Sequence, residues 1–536
     1  MTSPVSSRPS DCAWGAFDDV APWVLDPNNI SWEKQAIELR VSAQREVPVL
    51  TTPTRIPPVA RLVVVVWVLS KALVPWFVKK KLRPFATPED SRAYISLRMR
   101  KAVERLGSTY IKLGQIISSG EGLFPVELVN EFKLCRDQVP AIPFESVKKT
   151  IESELGKPLN EVFSYIDTTA LAAASIAQVH MATLLTGEEV VVKVQRPTVS
   201  KMVRKDLRVM AWIAPHLVGR IKVSALANPP ALVELFAETI VEELDFRIEA
   251  SNMLDVAKML CELHQDRYII PRPHPTLATQ RVLVMQRLSG FKFDDVAGMK
   301  DAGIDTHAVI RTGMIAFMEG AMIYGVFHGD LHGGNLFVMP DGRTALLDFG
   351  IVGRLTGARR MAFLRLMLNA TTNNVVGQVE ALRDLGALPM DTDIHAVIKD
   401  LNLGDAAIDP TSLSGEELVK EVQRIVKALM GYGARMPKEL MLYVKNMVFL
   451  DGAIARLAPE LDILAEIASI SMLFAERHGE RLGRELGVDH TAIEINLDSV
   501  KTGVLGVDAS VNSLTYRDLQ ARRELIQKRM RDHVGR

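Results

Sequence analysis

Cysteine is scarce. Cys12, Cys135 and Cys261 are the only three in 536 residues, far apart and with no C-x-x-C spacing. Neither a zinc site nor a disulfide framework is indicated, and a reducing, cytosolic compartment is the expectation. Net charge is missing too: 64 Lys and Arg balance 64 Asp and Glu. A nucleic-acid binder would normally carry a strongly basic face, so that class is set aside. Residues Met1 to Ser10 lack the charged-then-apolar order of a signal peptide. There is no internal repeat and no Walker A sequence. With 48% hydrophobic residues, the chain has material for two or three domains with sizeable cores.

Long apolar runs are also rare, with one exception. Leu62 to Val78 reads LVVVVWVLSKALVPWFV, bracketed by Arg61 and by Lys79, Lys80 and Lys81, with Lys71 and Pro75 inside it. A spanning helix needs about 20 predominantly apolar residues, and a central lysine costs roughly 2.5–3.5 kcal/mol on insertion scales. Spanning is therefore not expected. Two placements stay open: a helix lying in a membrane interface, drawn there by tryptophans and a basic edge, or a helix buried against the core.

The order of patterns sets the organisation. Residues 1–58 are rich in Pro, Ser and Asp and are expected to be a poorly ordered lead-in and linker. Residues 59–160 read as a helical extension, clearest from Asp90 to Gly107, where Ala93, Leu97, Ala102, Val103 and Leu106 recur near helical spacing. Residues 161–289 are mixed, with β-branched runs at Val190 to Val194 and Arg281 to Met285. Residues 290–480 are almost wholly helical, interrupted by two short strands, Leu336 to Met339 and Thr344 to Leu347, around Pro340-Asp341-Gly342. Residues 481–536 read as a helical, charged tail. Strands first and helices after is the order of an α+β, two-lobed protein-kinase-like fold, with a small β-containing N-lobe, a helical C-lobe and added N-terminal helices.

The chemistry is concentrated in His328-Gly329-Asp330-Leu331-His332-Gly333-Gly334-Asn335 and, thirteen positions beyond Asn335, Asp348-Phe349-Gly350. An Asp, an Asn five positions on and an Asp-Phe-Gly after an apolar strand form the catalytic-loop and metal-loop signature of kinase-like phosphoryl transferases. The carboxylate of Asp330 would orient or deprotonate an attacking hydroxyl or water, and Asn335 with Asp348 would hold magnesium against the phosphates. His328 and His332 flank Asp330 as H-x-D-x-H, but both are ordinary members of such a loop and no zinc site is expected. Lys193, within Val190 to Val194, stands where a strand lysine contacts nucleotide phosphates. Gln286, just after Met285, stands where an adenine-binding hinge would be.

No G-x-G-x-x-G precedes Lys193. Its place is taken by Ala172-Ala173-Ala174-Ser175-Ile176-Ala177. This alanine loop, the run Lys193-Val194-Gln195-Arg196-Pro197, the HGDLHGGN loop and Lys112-Leu113-Gly114-Gln115 together resemble the UbiB family of atypical kinases, the AarF and coenzyme Q biosynthesis kinase-like proteins. The resemblance runs from about Ala93 to Leu355, with a helical extension to roughly residue 475.

That resemblance implies several roles. Lys112 and Gln115 belong to a K-x-G-Q motif on an added helix packed over the place where a protein substrate would dock. Glu243 and Asp245 form an E-x-D motif meeting that segment. Glu249 pairs with Lys193, and Asp330, Asn335 and Asp348 take the catalytic and metal-holding places. Ala172, Ala173, Ala174, Ser175, Lys193 and Met285 line the nucleotide site. Glu243 and Glu249 lie six apart, about 240° round a helix, so they cannot share one face and should serve different partners. The alanines should make the loop stiffer than a glycine loop. The implied cofactors are ATP or ADP and magnesium. The implied partners are a nucleotide, a membrane surface or a lipid or quinone precursor, and a second copy of the chain. The implied location is the cytoplasm, peripheral at the inner face of the membrane. Many relatives end in hydrophobic membrane helices, whereas this sequence closes on a charged stretch, so C-terminal insertion is not expected. Two rival functions remain: a small-molecule phosphotransferase on the same fold, and a nucleotide-gated, lipid-binding scaffold.

Overall fold

The computed structural model describes residues 22–23, 25, 30–83, 85–118, 125–135, 140–218, 228–355, 357–372, 374–401, 429, 431–487, 501, 511 and 513–534. Six helices come first: α1 (Glu33–Thr51), α2 (Val59–Leu82), α3 (Pro88–Leu106), α4 (Ser108–Ser118), α5 (Val126–Lys133) and α6 (Phe144–Leu155). Strands β1 (Phe163–Ile166), β2 (Ala172–Ala173), β3 (Ala177–Leu184) and β4 (Glu189–Gln195) follow. Three helices are inserted next, α7 (Val199–Leu217), α8 (Pro229–Glu242) and α9 (Phe246–Glu262). Strands β5 (Tyr268–Ile269), β6 (Pro273–Ala278), β7 (Val282–Gln286) and β8 (Phe291–Lys292) then lead into α10 (Val296–Asp301) and α11 (Thr306–Glu319). After them come β9 (Val326–His328), β10 (Leu336–Val338), β11 (Thr344–Leu346) and β12 (Val352–Arg354). Helices α12 (Ala358–Thr371), α13 (Val375–Asp384), α14 (Ile394–Leu401), α15 (Lys438–Leu457), α16 (Ile463–Leu486) and α17 (Tyr516–Val534) complete the described elements.

The first sheet is antiparallel, in the order β1-β3-β4-β7-β6, with β2 also paired to β3. Its strand alternation explains the placement of Lys193. Val190, Val192 and Val194 are fully buried with Val147 and Ile151 of α6 and with Val282 and Val284. The intervening Lys193 therefore points to the other face, towards α9. A second sheet, β5-β11-β10-β8, and the β9-β12 pair frame the loop from residue 328 to 352. The fold is kinase-like: a small antiparallel sheet followed by a mainly helical lobe, with the HGDLHGGN and Asp-Phe-Gly segments on loops between short strands.

Two expectations are corrected. The lead-in is not uniformly irregular: residues 33–51 form α1, whose Ala36, Ala43, Val47 and Leu50 are buried on one side. Trp32 beside it is 1% exposed and donates through Nε1 to the His274 carbonyl at 3.1 Å. The surrounding Pro, Ser and Asp content hid this helical spacing. Helix α2 packs against the core through one side only, burying Val65, Val68 and Ala72. Finally, Glu243 and Glu249 do not share a helix. α8 stops at Glu242, Glu243 is its C-cap, and Asp245 opens α9 by accepting from the Arg247 N–H at 3.1 Å. Residues 1–21 and most of 488–512 lie outside the described residues, so the expected tail is described only in part.

Candidate functional site

β4 and α9 bring the first pair together. Lys193 Nζ donates to Glu249 Oε1 at 2.7 Å and to Asp348 Oδ1 at 3.0 Å. One ammonium thus ties the sheet, α9 and the Asp-Phe-Gly turn. Burial pushes the Glu249 carboxyl up to about 7 against the pull of Lys193, and the neighbouring Asp348 adds to the rise. Glu249 Oε1 also accepts from the Phe349 N–H at 3.3 Å, and Asn252, one turn along α9, donates to the Phe349 carbonyl at 2.8 Å. The turn is held from both sides, with Phe349 completely buried. Asp348 has φ 56°, in the left-handed region, which Asp tolerates better than most side chains. Its side chain is 46% exposed, and Oδ1 accepts from the Gly350 N–H at 3.2 Å.

His328 organises the loop of residues 328–335. Its Nδ1 accepts from the Asp330 N–H at 3.1 Å, so Nε2 carries the proton and donates to the carbonyls of Asp348 at 2.8 Å and Leu347 at 3.1 Å. Burial lowers its pKa and keeps the ring neutral. Asn335 Nδ2 donates to the Asp330 carbonyl at 3.0 Å, and the Asn335 carbonyl accepts from the Leu347 N–H at 2.8 Å. Asp330, Asn335 and Asp348 are therefore joined through a short hydrogen-bonded network rather than merely near one another in sequence.

The added helices reach the same point. Lys112 Nζ on α4 lies 3.0 Å from Glu243 Oε1 and 3.9 Å from Asp330 Oδ2. Burial raises the Glu243 carboxyl despite this partner. Asp245 takes a different part: it caps α9 and pairs with Arg247 at 2.7 Å. Gln115 Nε2 is 3.5 Å from the Cys135 carbonyl. Glu243 and Glu249 do have separate partners, but because a helix break re-aims the chain between them.

The alanine loop closes on itself. The Ala174 N–H donates to the Ala177 carbonyl at 2.9 Å, while Arg196 donates through Nε to the Ala174 carbonyl at 2.9 Å and through its backbone N–H to the Ile176 carbonyl at 2.9 Å. Ala172 is exposed, Ala173 and Ala174 are half-buried, and Ser175 is buried. Met285 is buried on β7 opposite Val191, and the Gln286 N–H donates to the Arg272 carbonyl at 2.9 Å.

Two residues escaped the sequence reading. Lys445 and Asn446 on α15 meet the catalytic loop: Lys445 Nζ bonds Asp330 Oδ1, and Asn446 donates to the His328 carbonyl and accepts from the Leu331 N–H at 3.0 Å. Burial opposes ionisation of Asp330, yet the ammonium groups of Lys445 and Lys112 hold it well below the usual carboxylate range. The available signal was a Lys-Asn pair inside the apolar run Met441 to Leu450.

Fold and site together define a kinase-like scaffold of an atypical kind, with alanines where glycines are usual and an added lysine beside the loop aspartate. The family model described as the ABC1 atypical kinase-like domain matches residues 134–382. An "Uncharacterized aarF domain-containing protein kinase", chloroplastic, of Arabidopsis thaliana is 32% identical over 69% of this chain and 73% of its own length. An uncharacterized protein of Mycobacterium tuberculosis is 34% identical over 67% and 74% of the two chains. A Pseudomonas putida protein named "Probable protein kinase UbiB" is 30% identical over 74% and 73%. The chain belongs to the ABC1 atypical kinase-like family, which includes the aarF and UbiB proteins.

Proposed function

We propose that the chain is an ATP-binding, magnesium-dependent atypical kinase or ATPase serving isoprenoid quinone or lipid metabolism. The observation that carries this reading is the single ammonium of Lys193 shared by Glu249 and Asp348. In this reading the Lys193 ammonium meets the nucleotide phosphates. Asp330 then orients or deprotonates the nucleophile, whether hydroxyl or water. Ala172 to Ser175 and Met285 border the nucleotide, the loop by closing over phosphates and the strand by leading to the adenine.

Among the described residues, no three His, Cys, Asp or Glu side chains cluster as a self-sufficient metal cage. Asp348 and Asn335 suit magnesium all the same, because that ion is commonly held by one or two protein oxygens with phosphate oxygens and water filling the remaining places. When bound, the ion neutralises phosphate charge. The test is magnesium-dependent release of phosphate from ATP: Asp330→Asn should lower turnover by about 10²–10⁴, the span of a general base, while nucleotide binding persists. Unchanged turnover overturns the role of Asp330. Tight binding without turnover even in the wild type favours the scaffold reading.

The same reading places the chain at an anionic membrane surface. From Val47 to Pro88 there are seven Lys and Arg and no Asp or Glu. α2 within this stretch is 24 residues long, about 36 Å at 1.5 Å per residue. One stripe of it, Val59, Val63, Val66, Trp67, Val74 and Phe77, faces outward and exposed, opposite the buried Val65, Val68 and Ala72. Lys79, Lys80 and Lys81 close its C-terminal end. An apolar stripe with a basic end suits a helix lying in the plane of anionic headgroups. Arg61 on α2 is anchored to the buried Asp206 at 2.5 Å and donates to the carbonyl of Leu106 at 2.7 Å, the last residue of α3 before α4 and its Lys112. The full chain should co-sediment with phosphatidylglycerol vesicles and much less with phosphatidylcholine, and Val63→Glu with Val74→Glu should abolish binding. Equal sedimentation with both lipids, or retention by the double variant, contradicts this placement.

A further inference from the structure

Asp330 has one ammonium beside it from the added N-terminal helices and a second from the far end of the sequence. The first, Lys112, is nearer to Glu243, at 3.0 Å, than to Asp330, at 3.9 Å. The second, Lys445, bonds Asp330 directly across 115 positions of sequence. We propose that Lys445 is the cation that meets the transferring phosphate of a nucleoside triphosphate above Asp330, supplied by α15 rather than by the loop of residues 328–335, which carries no lysine or arginine. This rests on the phosphoryl-transfer reading above.

Three observations carry it. The first is how the lysine is held. Asn446, completely buried, accepts from the Leu331 N–H and donates to the His328 carbonyl, so it grips the chain on both sides of Asp330. Lys445, its immediate neighbour, is thereby brought within bonding reach of the Asp330 carboxylate. The second is what the loop offers. Two positions after Asp330 stands His332, whose Nδ1 accepts from the Gly334 N–H at 3.1 Å and caps the following turn. That side chain is committed to holding the loop shape.

The third is access. Lys193 is shared between Glu249 and Asp348 and is 9% exposed; Lys112 is held by Glu243 and is 13% exposed; Lys445 is 21% exposed. Of these three lysine side chains, that of Lys445 is the most exposed. A compact lysine charge is suited to phosphate oxygens. Set between the Asp330 carboxylate and those oxygens, it reduces the repulsion between two anions that must approach each other and steadies the group in flight. A purely structural ion pair would instead clamp α15 to the loop and be indifferent to whether a third phosphate is present.

That difference gives the experiment. Calorimetric titration of the full chain with magnesium ADP and with the magnesium salt of the β,γ-imido analogue of ATP measures what the third phosphate contributes. Lys445→Met should weaken the imido analogue about tenfold or more, the loss expected for one charged hydrogen bond, and leave ADP affinity unchanged. Lys445→Arg, which keeps the charge and is the safer variant for folding, should retain most of the wild-type ratio between the two ligands. An unchanged ratio in Lys445→Met, or a ratio lost equally in Lys445→Arg, overturns the assignment to Lys445 alone. Wild-type protein that binds neither nucleotide overturns the underlying phosphoryl-transfer reading as well.

Discussion

Replacing Asp348 by Asn should remove the gain in nucleotide affinity that magnesium brings while leaving the fold intact. The substitution keeps size and shape and removes a charge. Backbone strain does not confuse the outcome, because Asp348 has φ 56° and Asn is among the residues that adopt the left-handed region most readily. The lost carboxylate is half-exposed, is the oxygen donor for the cation under the proposed function, and is one of the two partners of Lys193. Lys193 keeps Glu249 at 2.7 Å, so the buried ammonium is not orphaned and a large stability loss is not expected. Calorimetry with magnesium ATP should show affinity lower by about a hundredfold, roughly 2.8 kcal/mol. In the absence of magnesium, variant and wild type should bind alike. Full retention of magnesium-dependent binding contradicts the metal-holding role.

Replacing Lys112 by Met should have a larger effect on stability than on the cleft's shape. Glu243 is 6% exposed, and Lys112 is the ammonium at its carboxylate. Breaking a buried pair by removing one partner typically costs about 3–5 kcal/mol. The loss depends on pH in a defined direction. Burial already raises the Glu243 carboxyl, and removal of the lysine raises it further. A carboxyl with a folded pKa above its unfolded value binds protons more tightly in the native state, so its contribution is fully present at low pH and disappears as pH rises through the folded value. The thermal midpoint of the variant should therefore fall most, relative to wild type, at neutral and higher pH, and recover towards acid. Adding Glu243→Gln should restore much of the midpoint. A single variant as stable as wild type at pH 8 would show that the pair carries no such burden. Because Lys112 also sits over Asp330, the double variant separates its two effects: stability restored with basal ATP turnover still altered would assign Lys112 an influence on the site itself.

Much of the site could be read from local pattern. The Asp330, Asn335 and Asp348 spacing lies within nineteen positions on two adjoining loops, and Lys193 announces itself as the polar residue in a valine strand. What lay beyond local reading is instructive. By its E-x-D pattern Asp245 reads as a partner of the K-x-G-Q segment alongside Glu243, yet it opens α9 as an N-cap and pairs with Arg247. Two carboxylates two residues apart look equivalent until a helix break gives one to the backbone. α1 was passed over because proline, serine and aspartate around it masked its widely spaced buried positions. Lys445 is invisible for a different reason: nothing in the sequence of α15 tells which loop, 115 residues earlier, this ammonium will find.

By itself, then, the sequence determined the kinase-like order of elements, the acidic and amide groups of the loops and the unusual alanine turn. These are set by residue type and by periodicities of two and 3.6 residues, which act over a few turns or strands. Only the tertiary structure decided that Asp330 stands between Lys112 and Lys445, that Glu243 rather than Asp245 receives Lys112, and that the apolar stripe of α2 faces outward. Pairing of charges and exposure of a helix face depend on which surfaces pack, and packing is settled by the volume and shape of the whole core rather than by any one segment.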